Sequence, residues 1–230
     1  MNNLLHKCTT LIEILRLPVA RLSFHLHIDP VNIRSTYQNY TRPHPRYKVI
    51  SHKTLGAALL DLHEFNTVEK YLECIKGKNC GAHHAKRARS RGYVFAEIDR
   101  SRHIDDIHAI NISQACRQGR PMEQNYREKT LHFDTLKHFR YYGILNPQGT
   151  LVAYGTMGMY GNFGGFSQLI GLRNNDGIMH LLIVEIVTRL IADAAVRYVM
   201  YDTFFGAQPG LRQFKTILGF RPYRARYQLQ

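Results

Sequence analysis

The sequence predicts an α+β fold. Over residues 141–230 the pattern of apolar and polar residues changes in the order strand, strand, strand, helix, strand, helix, strand. Residues 178–195 have the length and the apolar face of one long helix. With 230 residues and 44% hydrophobic content, the chain is large enough to bury a sizeable core. We expect one domain over residues 76–230, preceded by a helical and irregular extension over residues 1–75.

The predicted extension contains three segments. Residues 4–17 space leucine and isoleucine three and four apart, which predicts an amphipathic helix that ends at Pro18. Proline, tyrosine and basic residues follow without a period over residues 29–47, which predicts irregular chain. Residues 54–75 return to helical spacing.

The predicted domain begins with a basic segment. Residues 76–91 are rich in lysine and arginine and contain almost no large apolar side chain, so we expect them to lie outside the core. Residues 92–99 have an alternating strand pattern, and the isoleucines within residues 100–120 predict a helix packed by one face. A hairpin is predicted next, with strands at residues 139–146 and 150–161 around a Pro-Gln-Gly turn.

The remaining elements alternate between strands and helices. A strand at residues 166–172 leads through a polar loop to the long helix. Residues 196–205 then predict a strongly apolar strand, and residues 210–220 predict a helix with a glycine stop. Residues 221–229 predict the last strand.

Charge and cysteine usage limit the classes of partner and site. The formal net charge of +14 and the pI near 9.8 favour phosphate-bearing or polyanionic partners. The four cysteines form no CxxC pair, and the thirteen histidines match no known ligand spacing, so no metal site is predicted. Because the N-terminal apolar run is too short to span a bilayer, we expect no membrane segment and a cytoplasmic protein.

The order of elements over residues 141–230 resembles that of the GNAT acyltransferase superfamily. The "GLRQFK…LGF" run within residues 210–220 is similar to the closing motif of FemAB-like members. The resemblance implies a mixed, mostly antiparallel sheet flanked by helices. It also implies an enzyme that transfers an acyl group from acetyl-CoA or another acyl-CoA to a primary amine.

The start of the long helix is the donor site that the resemblance implies. In this superfamily the main-chain amides there hold the pyrophosphate of coenzyme A, because exposed N–H groups and the helix dipole favour anions. Gly177 matches the central glycine of the family pattern. The alternative is an ordinary loop that uses Asn175 and Gly177 to turn into the helix. The implied cofactor-binding residues are Leu172, Arg173, Asn174, Asn175, Gly177, Ile178, Met179 and His180.

The resemblance also implies a general acid in the last helix. Many relatives place a tyrosine there to protonate the departing thiolate, but Phe214 occupies that place and cannot donate a proton. Tyr201 and Tyr160, with Tyr154 as a third, are the catalytic candidates for this role because they lie near predicted strand ends.

A base must deprotonate the incoming ammonium, and a carboxylate or imidazole near a strand end suits this task. Asp202, directly after an apolar strand, is the first catalytic candidate, with Glu123 and His180 behind it. The alternative for Asp202 is a buried carboxylate paired for structural reasons.

Basic residues and a tyrosine favour contact with nucleic acid, since arginine binds phosphate and aromatic rings stack on bases. A solvated basic loop is the alternative. The nucleic-acid-binding candidates are Lys86, Arg87, Arg89, Arg91, Arg117, Arg120 and Tyr126.

The resemblance implies an acyltransferase, and the basic charge suggests that its acceptor amine is carried on nucleic acid, either a modified base in DNA or a tRNA. A small-molecule or protein amine is the nearest alternative. A second interpretation takes an aminoacyl-tRNA as the donor, which the FemAB-like motif implies. A third is a non-catalytic nucleic-acid-binding protein with the same fold. Whether the chain forms a homodimer is left open.

Overall fold

The computed structural model of the protein describes residues 16–44, 48, 51–117, 120–205 and 207–230, with the side chains at positions 117 and 120 left out. The helix predicted at residues 4–17 lies outside the described residues except for its last two positions.

The described part of the chain contains ten strands and seven α-helices. The strands are β1 (Val19–Phe24), β2 (Leu55–Asp61), β3 (Val94–Glu97), β4 (Cys116–Arg117), β5 (Arg120–Pro121), β6 (Phe139–Leu145), β7 (Leu151–Met159), β8 (Phe163–Gly171), β9 (Tyr198–Thr203) and β10 (Arg221–Leu229). The helices are α1 (Pro30–Thr41), α2 (Val68–Cys74), α3 (Gly81–Ser90), α4 (Ile104–Ile112), α5 (Gln124–Arg127), α6 (Ile178–Ala192) and α7 (Pro209–Thr216). Two 3-10 turns lie at Leu62–Glu64 and Arg100–His103.

Eight strands form one sheet in the order β1–β10–β2–β9–β8–β7–β6–β3, and β4 and β5 form a separate hairpin. The pairs β1–β10 and β8–β9 are parallel, and all other pairs in the described chain are antiparallel. The fold is therefore α+β, with a mixed and mostly antiparallel sheet flanked by helices. This confirms the predicted class and the predicted order of elements from β6 to β10.

The helix α6 lies at the centre of the larger core. Its residues from Leu181 to Val184 are fully buried, because the helix packs between α3 and the strands β6, β7 and β8. A second core lies between α1 and the strands β1, β10, β2 and β9. There the ring of Phe24 contacts Tyr40 and Phe163 edge-on, at centroid distances of 5.6 and 5.0 Å.

Two predictions for the N-terminal segment were wrong. Part of the segment expected to be irregular forms α1, which begins with Pro30 behind an Asp29 cap whose carboxylate accepts from the amide of Asn32. Residues 55–61, expected to be helical, form β2, which is buried on both faces. Ala57 and Leu59 enter the second core and Ala58 and Leu60 the larger one, so the period-2 alternation that marks a strand is absent.

The strands β1 and β2 come from the first 75 residues. Both lie in the same sheet as the strands that follow, so the predicted extension supplies two of the eight strands of the sheet.

The basic segment is also more involved in packing than its composition predicts. Within it, α3 packs against α6 and buries Gly81, Ala85 and Ala88. These small residues are four and three apart, so they form one face that allows a close helix–helix approach. The expectation that the segment lies outside the core was therefore wrong for this face.

A close contact at Gly161 holds the free edge of β1. Phe24 forms an antiparallel bridge with Gly161, and the amide of His25 donates to the carbonyl of Tyr160 at 2.7 Å. A Cβ atom at position 161 would collide with the carbonyl oxygen of Ser23. Glycine is therefore required at position 161 for β1 to approach the turn between β7 and β8.

We predict that Gly161→Ala lowers the free energy of unfolding by about 1–3 kcal/mol, because β1 and the turn must move apart. The matched control is Gly210→Ala in α7, where no heavy atom lies within 4 Å of the added methyl group and alanine favours the helix. Urea unfolding of both variants measures the difference. Equal stabilities would contradict the inferred contact.

Candidate functional site

A pocket opens where β8 and β9 separate. The two strands pair in parallel only over residues 163–165 and 198–200 and diverge beyond them. The pocket has a volume of about 350 Å³. Its lining residues come from both strands, from the loop before β2 and from the segment around α5, and are Lys53, Pro121, Met122, Glu123, Tyr126, Phe166, Ser167, Gln168, Leu169, Tyr201 and Asp202.

Both strands carry a β-bulge beside this pocket. On β8, Phe166 and Gln168 pair with the adjacent residues Met157 and Thr156, so Ser167 is an extra residue. On β9, the register with β2 shifts by one residue between Met200 and Thr203. A bulge bends its strand and turns a side chain away from the regular alternation, and bulges are enriched beside active sites. The two bulges therefore explain why side chains of both strands reach the pocket.

An ion pair between Lys53 and Asp202 lies in the pocket. Lys53 Nζ and Asp202 Oδ1 are 3.2 Å apart. Both residues have left-handed backbone conformations, with φ of 57° and 53°, which cost energy in residues other than glycine and cluster at functional sites. The hydroxyl of Tyr227 donates to the carbonyl of Lys53 at 2.8 Å, and Lys53 Nζ lies 4.7 Å from the ring centre of Tyr40. Lys53 is therefore held from several sides.

Lys215 is buried behind the β9 bulge. It is 1% exposed, and its Nζ donates to the carbonyl of Thr203 at 2.8 Å and lies 4.7 Å from the ring centre of Tyr201. Burial lowers the pKa of Lys215 to about 8, against the attraction of the nearby Asp202 carboxylate. Lys215 thus ties α7 to the end of β9, next to two pocket residues.

Lys215 was not predicted as a site residue, although the sequence contains a signal for it. Lys215 lies on the same helical face as Leu211, Phe214 and Leu218, at spacings of three and four. A lysine among apolar residues on the buried face of a helix indicates a charge with a specific partner.

The structure brings together three of the four predicted catalytic residues. Asp202, Tyr201 and Glu123 line the pocket. Tyr160 does not line it. Its ring is 3% exposed and packs with Phe24 in the second core, where burial raises the pKa of the Tyr160 hydroxyl well above its ordinary value.

Gly177 serves helix packing at the predicted donor site. It has a φ of 88°, and a Cβ atom there would collide with the backbone carbonyl of His84 in α3. The preceding Asp176 accepts a hydrogen bond from Tyr93 at 2.7 Å and forms an ion pair with Arg91. Glycine is therefore required at position 177 because α3 packs closely against it. Separately, the carboxylate of Asp176 disfavours the binding of an anion beside the start of α6.

The first turn of α6 is covered by neighbouring rings. His180 lies 4.4 Å from His84 and 4.7 Å from Phe214, measured between ring centres. Burial lowers the pKa of His180 to about 4, helped by the charges of His84 and Arg87, so His180 is neutral at pH 7. Arg173, Asn174 and Asn175 are exposed in the loop before the helix. None of the eight predicted cofactor-binding residues lines the Asp202 pocket.

The predicted nucleic-acid-binding residues lie in different places. Arg89 donates to Glu185 of α6 at 2.7 Å, and Arg91 pairs with Asp176, so acidic groups of the chain already compensate both charges. Lys86 is exposed on α3, and Arg87 is partly buried there. Tyr126 instead lines the pocket and accepts a hydrogen bond from Gln168 at 3.2 Å. Arg117 and Arg120 lie in the β4–β5 hairpin.

Two further kinds of site are absent from the described ranges. No group of three or more His, Cys, Asp or Glu side chains there is placed to hold a metal ion. No helix within the same ranges is both long enough and apolar enough to cross a bilayer.

The lowered pKa of Lys215 predicts how its contribution to stability changes with pH. Between pH 8 and 10.5 the unfolded chain holds more protons at this position than the folded chain, so the contribution of Lys215 to stability rises with pH. We expect the difference in free energy of unfolding between the parent and Lys215→Met to shift in favour of the parent from pH 7.5 to 10. Urea titrations of both chains measure it. The buried tyrosines are common to both chains and cancel, and a difference independent of pH would contradict the burial of a charged Lys215.

Comparison with known proteins gives a fold likeness at low identity. No protein-family model and no curated protein matches the chain. The solved structure of FemX matches with a TM-score of 0.56 at 7% identity, over 84% of this chain and 65% of FemX. A conserved protein of unknown function from Bacteroides thetaiotaomicron VPI-5482 matches with a TM-score of 0.53 at 16% identity, over 73% of this chain and 56% of that protein.

A tandem GNAT protein from the clavulanic acid biosynthesis pathway has a TM-score of 0.47 at 15% identity, over 73% of this chain and 50% of its own. The chain thus spans less than two thirds of each of these three structures. At this low identity the likeness to FemX and to the Bacteroides thetaiotaomicron protein concerns the fold alone, and the α+β fold of this chain is like theirs.

Proposed function

We propose that this protein is an acyltransferase that moves an activated acyl group to a primary amine in the pocket beside Asp202. The observation that carries the proposal is the Lys53–Asp202 ion pair, formed by two left-handed residues where β8 and β9 diverge. Such strained backbone persists only where surrounding structure fixes it, and it clusters at functional sites.

The charges that line the pocket favour an amine as acceptor. Lys53 contributes one cation, whereas Asp202 and Glu123 contribute two carboxylates, in a chain whose formal net charge is +14. The aromatic residues Tyr126 and Phe166 add ring faces that attract a cation. An ammonium group entering this pocket would meet local attraction despite the basic character of the whole chain.

The residues present support a simple division of roles. The carboxylate of Asp202 accepts a proton from the ammonium, directly or through one water, which leaves a neutral amine. The amine nitrogen then attacks the acyl carbon, so that the new C–N bond forms and the bond from the acyl carbon to its carrier breaks. Tyr201 is the proposed proton donor to the departing carrier, because Phe214 occupies the place of the usual tyrosine and cannot donate a proton. The nitrogen of the adduct must lose a second proton to become an amide, and this proton replaces the one that Tyr201 donates. Lys215 positions both residues by holding the end of β9.

Two donors are consistent with this chemistry, an acyl-CoA thioester and an aminoacyl-tRNA ester. The crowded start of α6, with Asp176 paired to Arg91 and Gly177 packed under His84, disfavours a pyrophosphate at the predicted donor site. This observation favours the aminoacyl-tRNA as donor. In that case the nucleic acid is the carrier of the acyl group. A tRNA carrier accounts for the basic charge of the chain without an acceptor amine on DNA or RNA.

We predict that Asp202→Asn lowers kcat about 10²–10⁴-fold with little change in the KM for the donor. Asparagine tolerates the left-handed conformation and keeps the shape, so only the charge and basicity are lost. The assay supplies labelled acetyl-CoA or charged bulk tRNA with a panel of primary amines (lysine, spermidine, an amino sugar and a lysine peptide), and measures the labelled amide.

Two controls separate catalysis from structure. Lys53→Gln removes the same ion pair but leaves the carboxylate, and Asp193→Asn breaks an exposed pair with Arg140 elsewhere. We expect smaller losses of kcat from both than from Asp202→Asn. Equal losses from Asp202→Asn and Lys53→Gln would assign Asp202 a structural role. Absence of product with every donor, together with binding of uncharged tRNA, would favour the non-catalytic nucleic-acid-binding alternative.

A further inference from the structure

A second cleft lies on the part of the sheet formed by β1 and β10. Its volume is about 480 Å³, and it shares no lining residue with the Asp202 pocket. Three of its six lining residues are arginines. The six are Val19, Arg21, Asn162, Arg197, Tyr198 and Arg226.

Two of these arginines are neighbours across the sheet. Arg21 of β1 and Arg226 of β10 are in register in a parallel pair, so their side chains leave the same face of the sheet. Both residues are exposed. Strands in a sheet are about 4.8 Å apart, and like charges directly opposite each other are destabilising. An anion between the two guanidinium groups would remove this repulsion.

The third arginine differs from these two in its partner. Arg197 is fixed by Asp61, with Nη2 3.0 Å from Oδ2 and Nε 3.3 Å from Oδ1. By contrast, no carboxylate of the described residues lies within 4.0 Å of the guanidinium group of Arg21 or Arg226. The cleft therefore contains two positive charges that the described part of the chain does not compensate.

Asn162 makes the rim of the cleft rigid. Its side chain accepts a hydrogen bond from the amide of Ser23 at 2.8 Å and donates to the carbonyl of Arg21 at 2.9 Å. Its backbone carbonyl accepts from the amides of Arg197 at 2.8 Å and Tyr198 at 3.1 Å. One residue thus ties together the backbones that carry Arg21 and Arg197, so little backbone entropy is lost when a ligand binds.

We propose that this cleft binds a phosphate group. The planar guanidinium of arginine presents several N–H donors in a fork that matches phosphate oxygens, and two adjacent forks can share one phosphate. The ligand is a phosphate ester, either a small molecule or the backbone of a nucleic acid. The proposal does not depend on the reaction proposed above, because the two pockets have no residue in common.

Binding to the full chain tests the proposal with three probes: AMP, adenosine, and single-stranded RNA of about 12 nucleotides, a length within the usual site sizes. The double variant Arg21→Gln/Arg226→Gln removes the two uncompensated charges. The control Arg34→Gln/Arg102→Gln removes two exposed charges from other elements. Calorimetry and fluorescence anisotropy measure the affinities, and thermal unfolding checks that each variant folds.

We expect the double variant to lose about tenfold or more in affinity for AMP, for RNA or for both, and the control to change by less than about twofold. If the double variant loses affinity for AMP and the parent does not bind adenosine, the ligand is a phosphate monoester. If the double variant loses affinity for RNA alone, the ligand is the nucleic-acid backbone, and the loss of affinity should be smaller at high salt. Equal affinities of the double variant and the control, or no binding of AMP and RNA by the parent, would overturn the proposal.

If the double variant does not fold, the parent chain still provides a test. Phenylglyoxal modifies accessible arginine side chains, and mass spectrometry reports the extent at each position. We expect AMP or the RNA to protect Arg21 and Arg226 and to leave Arg34 unprotected. Equal modification of all three with and without the probes would overturn the proposal.

Discussion

The parallel pairing of β8 with β9 stops after residue 165 on one strand and residue 200 on the other, and the candidate site depends on the space that opens there. A sheet gains stability from uninterrupted backbone hydrogen bonds between its strands. Strands that diverge must therefore find other partners for their backbone hydrogen-bonding groups and other packing for their side chains. Here a bulge lies on each strand beside the gap, and α6 packs behind β8. The larger core supports the divergence, because the four consecutive residues of α6 from Leu181 to Val184 are fully buried.

The left-handed backbone conformations of Lys53 and Asp202 are stabilised by residues that surround the pocket. Each such conformation costs on the order of 1–3 kcal/mol and persists only where the surroundings determine it. The Lys53 backbone is fixed by Tyr227, and the β9 bulge that carries Asp202 is fixed by the buried ammonium of Lys215. Lys215 itself is costly to bury, as the depressed pKa indicates, and the cost is offset only while its hydrogen bond is made. Geometry at the pocket and stability of the last helix are therefore coupled.

The sequence predicted some of these features and not others, for physical reasons. Strands β6 to β10 and the helix α6 follow regular patterns, because each has one dominant buried face or a long apolar stretch. The strand β2 is buried on both faces, which removes the alternation that distinguishes a strand from a buried helix. Asp202 could be selected as a polar residue directly after an apolar strand. Its partner Lys53 could not, since the two are separated by 149 positions and meet only through the register of β2 with β9. Gly177 was recognised as necessary, but the reason, contact with His84 of α3, is a tertiary one.

The positive charge of the chain is distributed unevenly, and this distribution bears on both proposals. On α3, Arg89 is compensated by Glu185, and just past its end Arg91 is compensated by Asp176, so that part of the predicted basic surface has little free charge. Arg21 of β1 and Arg226 of β10 have no carboxylate partner among the described residues, while the pocket between β8 and β9 is lined by more carboxylates than cations. Fields of exposed charges decay over about 8–10 Å at physiological salt. A polyanionic carrier would therefore be attracted by the basic strands, whereas an ammonium group inside the pocket would respond to Asp202 and Glu123. For the proposed reaction, this separation of charge would attract an acyl group on an anionic carrier and a cationic amine to different parts of the same sheet.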